Sequence, residues 1–341
     1  MKYFDDLSGR IRRNEPVAIP WRAALRAASL AQRAGMWLRL RRTPVRVPAH
    51  VISFGNLTAG GTGKTPAVIE RALREAEQGR QVAVITRGYG ASSEEFPLLM
   101  HTNRAEEDVA RRFGDEAALI AARVPGRWIV RSPDRVAGAR AAMQEGCDTL
   151  ILDDGYQAVR LSRDENILLI DATNPFGNGF LVPRGILREP VAAIERSTEV
   201  IITRCDQAPQ ALPGIESVVR RFSPDAPIRH MVHKPVMLKR LCDGQEYPLE
   251  LLRGSSIRAV CGIGNPESFL KTLQDTGAEV VDMRMVADHA ALSPDYVTGE
   301  EITVVTEKDA ARMGAGVPAR VYALCISMAP YSPATAESAS R

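Results

Sequence analysis

Short apolar runs alternate with longer amphipathic stretches along most of the chain after residue 48. The apolar runs are rich in β-branched residues and predict strands at 50–54, 81–86, 127–130, 148–153, 166–171 and 199–203. Between them, apolar positions recur with helical spacing at 66–78, 108–122 and 134–145. Strands that alternate with helices in this way indicate an α/β fold with a mostly parallel sheet and helices on both faces.

The pattern changes near residues 224–227, where two prolines interrupt it. Residues 227–241 predict one extended strand, and Asp243-Gly244 predicts a turn into a returning segment, as in a hairpin-like connector. Further strands are expected at 257–262, 279–283, 302–306 and 320–325, with a helix at 266–276. We predict four parts: an N-terminal helical segment 1–48, an α/β domain 49–226, a smaller α/β domain 227–328 that includes the connector, and a frayed tail 329–341.

Composition agrees with a globular protein of two domains in a reducing compartment. The chain has 341 residues, of which 45% are hydrophobic and 25% are charged. Its five cysteines are scattered without a C-x-x-C pair, which argues against a disulfide scaffold and a structural zinc site. The N-terminus lacks the charged-then-apolar pattern of a secretory signal, so we expect none.

Charge is distributed unevenly along the chain. Residues 1–50 carry eleven Lys or Arg and three acidic residues, a net charge of +8, although the whole chain has only +3. In a helix over 20–40, Arg22, Arg26 and Arg33 would fall within an arc of about 40°. Two interpretations remain open: a helix that lies on anionic lipid, or a solvated helix that packs on the body through its alanines. No uncharged run approaches the roughly 20 residues that a membrane span needs.

A glycine-rich loop follows the first predicted strand, in the segment VISFGNLTAGGTGKTP at 51–66. Between a strand and a helix, the backbone N–H groups of such a loop bind phosphate, and Lys64 reaches the β- and γ-phosphates. The Thr65 hydroxyl is placed to ligate Mg²⁺. The loop predicts a P-loop NTPase-like domain, although Thr58 replaces the first glycine of the usual motif. The expected nucleotide-binding residues are Thr58, Ala59, Gly60, Gly61, Thr62, Gly63, Lys64 and Thr65.

An acidic pair, Asp153-Asp154, follows the apolar run at 149–152 and precedes Gly155. A carboxylate at the end of a buried strand beside a phosphate loop is where a Mg²⁺-organising Asp belongs. The same string alone is also a common turn. Together with the loop, it predicts a metal site formed by Thr65, Asp153 and Asp154.

Eight stretches resemble the tetraacyldisaccharide 4'-kinases, the lipid A 4'-kinases, and occur in the order found in that family. They are GNLTAGGTGKTP (55–66), TRGYG (86–90), GDEAALIA (114–121), DDGYQ (153–157), GNGFLVPRGILREP (177–190), GIGNPESF (262–269), ADH (287–289) and VVTEKDA (304–310). The basic N-terminal helix corresponds to the membrane-associated segment of the family. The resemblance therefore covers roughly residues 50–310, together with this segment.

The resemblance implies Mg²⁺-dependent transfer of the γ-phosphate of ATP to the 4'-hydroxyl of a lipid-linked disaccharide 1-phosphate. It points to Lys64, Asp115 and His289 as catalytic residues, and leaves open whether Asp115 or His289 accepts the proton. It also implies a monomer at the cytoplasmic face of the inner membrane, in contact with anionic lipid and not with nucleic acid. The residues implied in binding the anionic acceptor are Arg87, Arg135, Gln157, Arg184 and Arg188.

Two alternatives belong to other functional classes. A partition-type ATPase switch would carry a signature lysine where this chain has Ala59. A membrane-bound homologue with weakened turnover is the second alternative. It is suggested only by Ala158, which departs from the family pattern; Ala117 and Ala290 are further departures, which bear on the shape of the acceptor site and on catalytic efficiency.

Overall fold

The computed structural model describes residues 43–89, 91, 96–104, 108–286, 292, 296–298, 301–313 and 316–332, and also 25, 26, 28, 29, 32, 33, 35, 36, 40 and 41. Within these residues the chain forms two compact units. The first unit is drawn from Met1–Lys64, Asp148–Val232 and Pro330–Arg341, and the second from Thr65–Cys147 and His233–Ala329. The four-part domain division stays a prediction.

Thirteen strands and seven α-helices have both ends within the described residues. The strands are β1 (His50–Asn56), β2 (Val82–Thr86), β3 (Leu98–His101), β4 (Trp128–Arg131), β5 (Thr149–Leu152), β6 (Glu165–Asp171), β7 (Glu199–Thr203), β8 (Ile228–Arg240), β9 (Glu246–Tyr247), β10 (Ser256–Cys261), β11 (Glu279–Met285), β12 (Ile302–Thr306) and β13 (Val321–Pro330). The helices are α1 (Lys64–Glu77), α2 (Val109–Phe113), α3 (Asp115–Arg123), α4 (Arg135–Gln144), α5 (Leu212–Phe222), α6 (Pro266–Asp275) and α7 (Glu307–Ala310).

Parallel strands form the sheet of the first unit, in the order β8-β7-β6-β1-β5. Strands β1, β5, β6 and β7 are almost wholly buried, as expected for strands of a parallel sheet covered on both faces. An apolar cluster packs α5 on β6 and β7 through Ile215 and Val219, one helical turn apart. Because parallel strands end at the same edge, the carboxyl ends of β1, β5, β6 and β7 bring their following loops together.

Two groups of strands belong to the second unit. In one, β4 pairs with β2 in parallel and with β3 in antiparallel. In the other, β11, β10, β12 and β13 are parallel neighbours in that order. Helix α6 packs on this group through Phe269 and Leu273. The predicted hairpin is confirmed, since Leu238 of β8 pairs with Tyr247 of β9 in antiparallel across the turn at Gly244.

Most of the predicted elements are confirmed to within a few residues, but one helix is wrong. The helix expected at 108–122 is two helices, α2 and α3, which meet at Gly114. Gly114 has φ 97° and ψ 158°, a conformation that ends a helix and that essentially only glycine adopts. The sequence analysis also missed β3 and α5.

Candidate active site

The glycine-rich loop joins the end of β1 to the start of α1, as predicted. Gly60 and Gly63 adopt φ values of 129° and 84°, so the loop needs glycine at both positions. Asn56, the buried last residue of β1, holds the loop from inside: its Nδ2 donates to the Thr58 carbonyl at 2.8 Å. Its Oδ1 accepts a hydrogen bond from the Lys64 ammonium at 3.1 Å. Asn56 therefore fixes both the loop and its lysine.

Lys64 is the first of two cations on the carboxylate of Asp154. The Lys64 Nζ lies 3.4 Å from Asp154 Oδ1, and Arg188 Nη1 donates to both carboxylate oxygens at 2.8 and 2.9 Å. Burial alone would raise the pKa of Asp154, but the charges of Lys64 and Arg188 outweigh it and hold this pKa well below its ordinary value. The carboxylate is therefore ionised at neutral pH and neutralised from two sides.

The turn after β5 lies directly against β1. A Cβ on Gly55 would come within 2.6 Å of the Tyr156 Cβ, and a Cβ on Gly155 within 2.6 Å of the Ser53 hydroxyl oxygen. Both glycines are required by this close approach. Asp153 is the buried first residue after β5, with 2% of its surface exposed. This packing against β1 holds the Asp153-Asp154-Gly155 turn in a fixed position in the site.

The residues of the loop fit a nucleotide phosphate with its magnesium ion. The hydroxyl of Thr62 is buried and has no hydrogen-bond partner among the described residues, an arrangement that suits a polar ligand. Thr65 and Asp153 offer the hydroxyl and carboxylate oxygens that Mg²⁺ prefers. Ala59 was predicted to contact the nucleotide, but its backbone N–H donates to the Ile186 carbonyl at 2.6 Å. The nucleotide-binding and metal-binding assignments stay predictions.

Of the residues expected to bind the acceptor, three lie in the first unit. Gln157 Nε2 donates to the Asn56 carbonyl at 3.0 Å and to Glu189 Oε1 at 2.9 Å, so it also braces β1. The guanidinium of Arg184 stacks on the Phe180 ring, 3.3 Å from its centroid. Arg188, described above, joins the loop at 177–190 to Asp154.

The other two acceptor-binding candidates lie in the second unit and have different surroundings. Arg87 is exposed and donates to the Tyr89 hydroxyl at 2.9 Å. Arg135 is 5% exposed, begins α4 and donates to the Ser132 carbonyl at 2.5 Å. The exposure of Arg87 suits a ligand contact, whereas the burial of Arg135 points first to a structural role.

Asp115 is the first residue of α3 because Gly114 breaks the helix before it. The side chain is 5% exposed, and its Oδ1 accepts from the Glu116 N–H at 3.0 Å. Two cations approach its other oxygen: Lys308 Nζ and Arg312 Nε each lie 3.9 Å from Asp115 Oδ2. Lys308 also donates to Glu116 Oε1 at 3.2 Å.

The stretch VVTEKDA, to which the sequence analysis assigned no role, supplies Lys308 and holds Arg312, which lies two residues beyond it. Its Asp309 is fully buried and accepts hydrogen bonds from the Gly262 N–H, the Thr306 hydroxyl and the Arg312 guanidinium. Asp309 therefore holds Arg312, and α7 carries Lys308 to the same carboxylate. Residues almost two hundred positions apart in sequence converge here, so no local pattern could have revealed the contact.

His289 and the rest of its Asp-His string lie outside the described residues. The pairing of His289 with Asp115 stays a prediction.

The N-terminal segment contacts the loop at 177–190 in the first unit. The Ser29 hydroxyl donates to the Leu181 carbonyl at 2.9 Å, and Gln32 Nε2 donates to the Arg188 carbonyl at 3.3 Å. Arg26 and Arg33 are exposed. Among the described residues, no helix is both long and apolar enough to cross a bilayer.

Comparison with known proteins gives one consistent result. The family described as tetraacyldisaccharide-1-P 4'-kinase, LpxK, matches residues 21–339. The tetraacyldisaccharide 4'-kinase of Geobacter sulfurreducens is 38% identical over 333 residues, which cover 95% of this chain and 91% of that protein. The enzyme of the same name from Anaeromyxobacter sp. (strain K) is 39% identical over 308 residues, covering 87% and 81%.

A solved structure agrees in fold. The LpxK of Aquifex aeolicus, crystallised in complex with ATP, superposes with a TM-score of 0.73 at 28% sequence identity, covering 94% of this chain and 98% of that one. The α/β fold and the family resemblance predicted from the sequence are thus confirmed. The chain belongs to the tetraacyldisaccharide 4'-kinase family.

Proposed function

We propose that the protein transfers the γ-phosphoryl group of ATP to the 4'-hydroxyl of a tetraacyldisaccharide 1-phosphate in lipid A biosynthesis. Family membership makes it a kinase, and the names of its relatives supply the acceptor. The observation that carries the proposal is the phosphate loop itself. Its lysine is held beside the loop by Asn56 and Asp154, where a triphosphate would meet an oriented ammonium group.

The chain's own residues would bind and orient ATP. The N–H groups of the loop and the ammonium of Lys64 would neutralise phosphate charge, and Thr65 and Asp153 would hold Mg²⁺. When bound, Mg²⁺ supplies charge neutralisation at the β- and γ-phosphate oxygens. Lys64 would exchange its contact with Asp154 for one with the γ-phosphate. Arg188 would still keep the carboxylate of Asp154 paired, since it donates to both of its oxygens.

Asp115 and His289 are proposed as the pair that handles the proton of the acceptor hydroxyl. The carboxylate of Asp115, which lies 3.9 Å from the cations of Lys308 and Arg312, would orient an imidazole ring. Under this proposal His289 accepts the proton, and Asp115 fixes the ring that accepts it. Arg87, Arg184 and Arg188 are proposed to bind the anionic acceptor, since guanidinium groups match phosphate geometry.

The N-terminal segment is proposed to hold the enzyme at the cytoplasmic face of the inner membrane. Its exposed Arg26 and Arg33 suit anionic lipid, and Ser29 and Gln32 tie it to the loop that contains Arg184 and Arg188. The acceptor is itself a lipid, so a membrane-bound segment beside this loop would shorten the path of the acceptor to the site.

Incubation with γ-labelled ATP and the disaccharide 1-phosphate, followed by thin-layer separation, tests the proposal. We expect label in the lipid with the wild type and almost none with Lys64→Ala. Label released only as inorganic phosphate would favour the ATPase switch. ATP binding without product would favour the weakened homologue. Wild-type turnover by Lys64→Ala would overturn the role of the phosphate loop.

A further inference from the structure

The end of β7 contacts the phosphate loop at two of its carbonyl groups. The hydroxyl of Thr203 donates to the Thr62 carbonyl at 3.0 Å. The guanidinium of Arg204 donates to the Gly61 carbonyl, also at 3.0 Å. Thr203 is fully buried and Arg204 is 6% exposed. None of the motifs that led to the family includes these two residues.

Arg204 is held in place from several directions. Its guanidinium pairs with the carboxylate of Asp171 at the end of β6, and both side chains are more than nine-tenths buried. Asp171 is itself oriented, since its Oδ1 accepts from the Thr173 N–H at 3.0 Å and the Thr173 hydroxyl at 2.7 Å. The carboxylate neutralises the guanidinium, so Arg204 is suited to a geometric role rather than to binding phosphate by charge.

The backbone of Arg204 is in a conformation that non-glycine residues rarely adopt. Its φ of 55° lies in the left-handed region. Such a conformation persists only where the surrounding structure enforces it, and it is frequent at functional sites. Here it occurs at the residue that reaches from β7 to the glycine-rich loop.

Anchored carbonyls determine where the next amides point. A peptide bond is planar and trans, so the C=O of one residue and the N–H of the next face opposite ways. A fixed Gly61 carbonyl therefore orients the Thr62 N–H, and a fixed Thr62 carbonyl orients the Gly63 N–H. Both amides are directed away from β7. Amides of such a loop are the groups that bind nucleotide phosphates.

We propose that Thr203 and Arg204 are positioning residues of the phosphate loop, which hold its amides in the orientation for binding ATP before ATP arrives. Glycine-rich segments lose much conformational entropy when they become ordered. Without the two anchors, the loop would lose this conformational entropy when ATP binds, and the affinity for ATP would fall. The inference rests on the proposed function only in taking ATP as the ligand.

Direct binding of ATP to the full chain, together with steady-state kinetics, tests the proposal. Thr203→Val keeps the shape of the side chain and removes its hydroxyl, whereas Thr203→Ser keeps a hydroxyl. We expect Thr203→Val to raise the Kd and KM for ATP about five-fold, and Arg204→Lys about ten-fold, since one lost hydrogen bond is worth about that factor. The KM for the lipid acceptor should change less than two-fold. Thr203→Ser should restore ATP affinity to near the wild-type value.

The matched control is Arg229→Lys, which alters an ion pair with Glu199 at the opposite end of β7. It should leave the Kd for ATP unchanged. If Thr203→Val lowers thermal stability but binds ATP as tightly as the wild type, the Thr203 contact is merely structural and the proposal that the two residues act as a pair is overturned. A wild type that fails to bind ATP would instead overturn the proposed function. The two failures are therefore distinguishable, even if Arg204→Lys does not fold.

Discussion

Replacing Gly114 by alanine tests how the break between α2 and α3 creates the site at Asp115. The φ and ψ of Gly114 lie in a region that costs other residues about 1–3 kcal/mol. An added Cβ would also lie 2.8 Å from the backbone oxygen of Tyr89, and overpacking against backbone costs about 1–3 kcal/mol more. Gly114→Ala should therefore lower the free energy of unfolding by about 2–5 kcal/mol.

Gly79→Ala is the matched control in the same unit. Gly79 has a similar φ of 82°, but a Cβ there would meet no atom within 4 Å. Its cost should be limited to about 1–2 kcal/mol. Urea denaturation at fixed pH compares the two variants. Equal stability losses would refute the argument that the close approach of Tyr89 requires glycine.

Activity gives a second measure of the same change. Gly114→Ala should shift the start of α3 and with it Asp115, and a displacement of about 1 Å can reduce turnover by about 100-fold. Gly79→Ala should keep kcat within about two-fold of the wild type. A Gly114→Ala enzyme with normal kcat would show that turnover does not depend on where α3 begins.

The remaining predictions concern the two carboxylate sites and the N-terminal segment. Asp115→Asn should reduce kcat by about 10²–10⁴-fold, as expected for loss of a group that acts in proton transfer, whereas Glu116→Gln should lose less than ten-fold in the same assay. The lowered pKa of Asp154 adds stability that is present above the unfolded pKa of about 3.9 and is lost as pH falls through the folded value. Urea denaturation should therefore show that Asp154→Asn loses less stability below pH 4 than the wild type does. If the free energy of unfolding of the wild type and of Asp154→Asn falls equally in acid, the ion pairs of Asp154 do not contribute to stability. Replacing Arg26 and Arg33 by Glu should reduce co-sedimentation with anionic vesicles but not ATP affinity, and unchanged sedimentation would contradict the membrane role.

Local patterns determined how much of this fold could be predicted. Strands β1 and β7 were located because a continuous apolar run between turn residues has few other interpretations. The break at Gly114 was missed because helical spacing of apolar residues continues across it. The Tyr89 carbonyl leaves no room for a Cβ at this position, a contact between segments that the sequence does not place together.

Some residues of the site can likewise be predicted from a local motif, whereas others are recognised only in the folded structure. Lys64 and Thr65 belong to a motif whose spacing follows from phosphate geometry, so sequence alone predicts them. Asp154 was predicted as a metal ligand, but its pairing with Lys64 and Arg188 depends on how three loops meet. Thr203 and Arg204 carry no motif of their own. The only available signal was a pair of polar residues at the end of the predicted strand β7. Its meaning depends on the strand order, which places β7 beside β6.

The most direct test of the central claim is to follow ADP and phosphorylated lipid together in one reaction, with the position of the new phosphate assigned by phosphorus NMR. We predict one ADP for each disaccharide bisphosphate formed, a new monoester at the 4' carbon, and loss of both products in Lys64→Ala. Formation of ADP without lipid product, or phosphate at another hydroxyl, would contradict the assignment of this chain as a 4'-kinase.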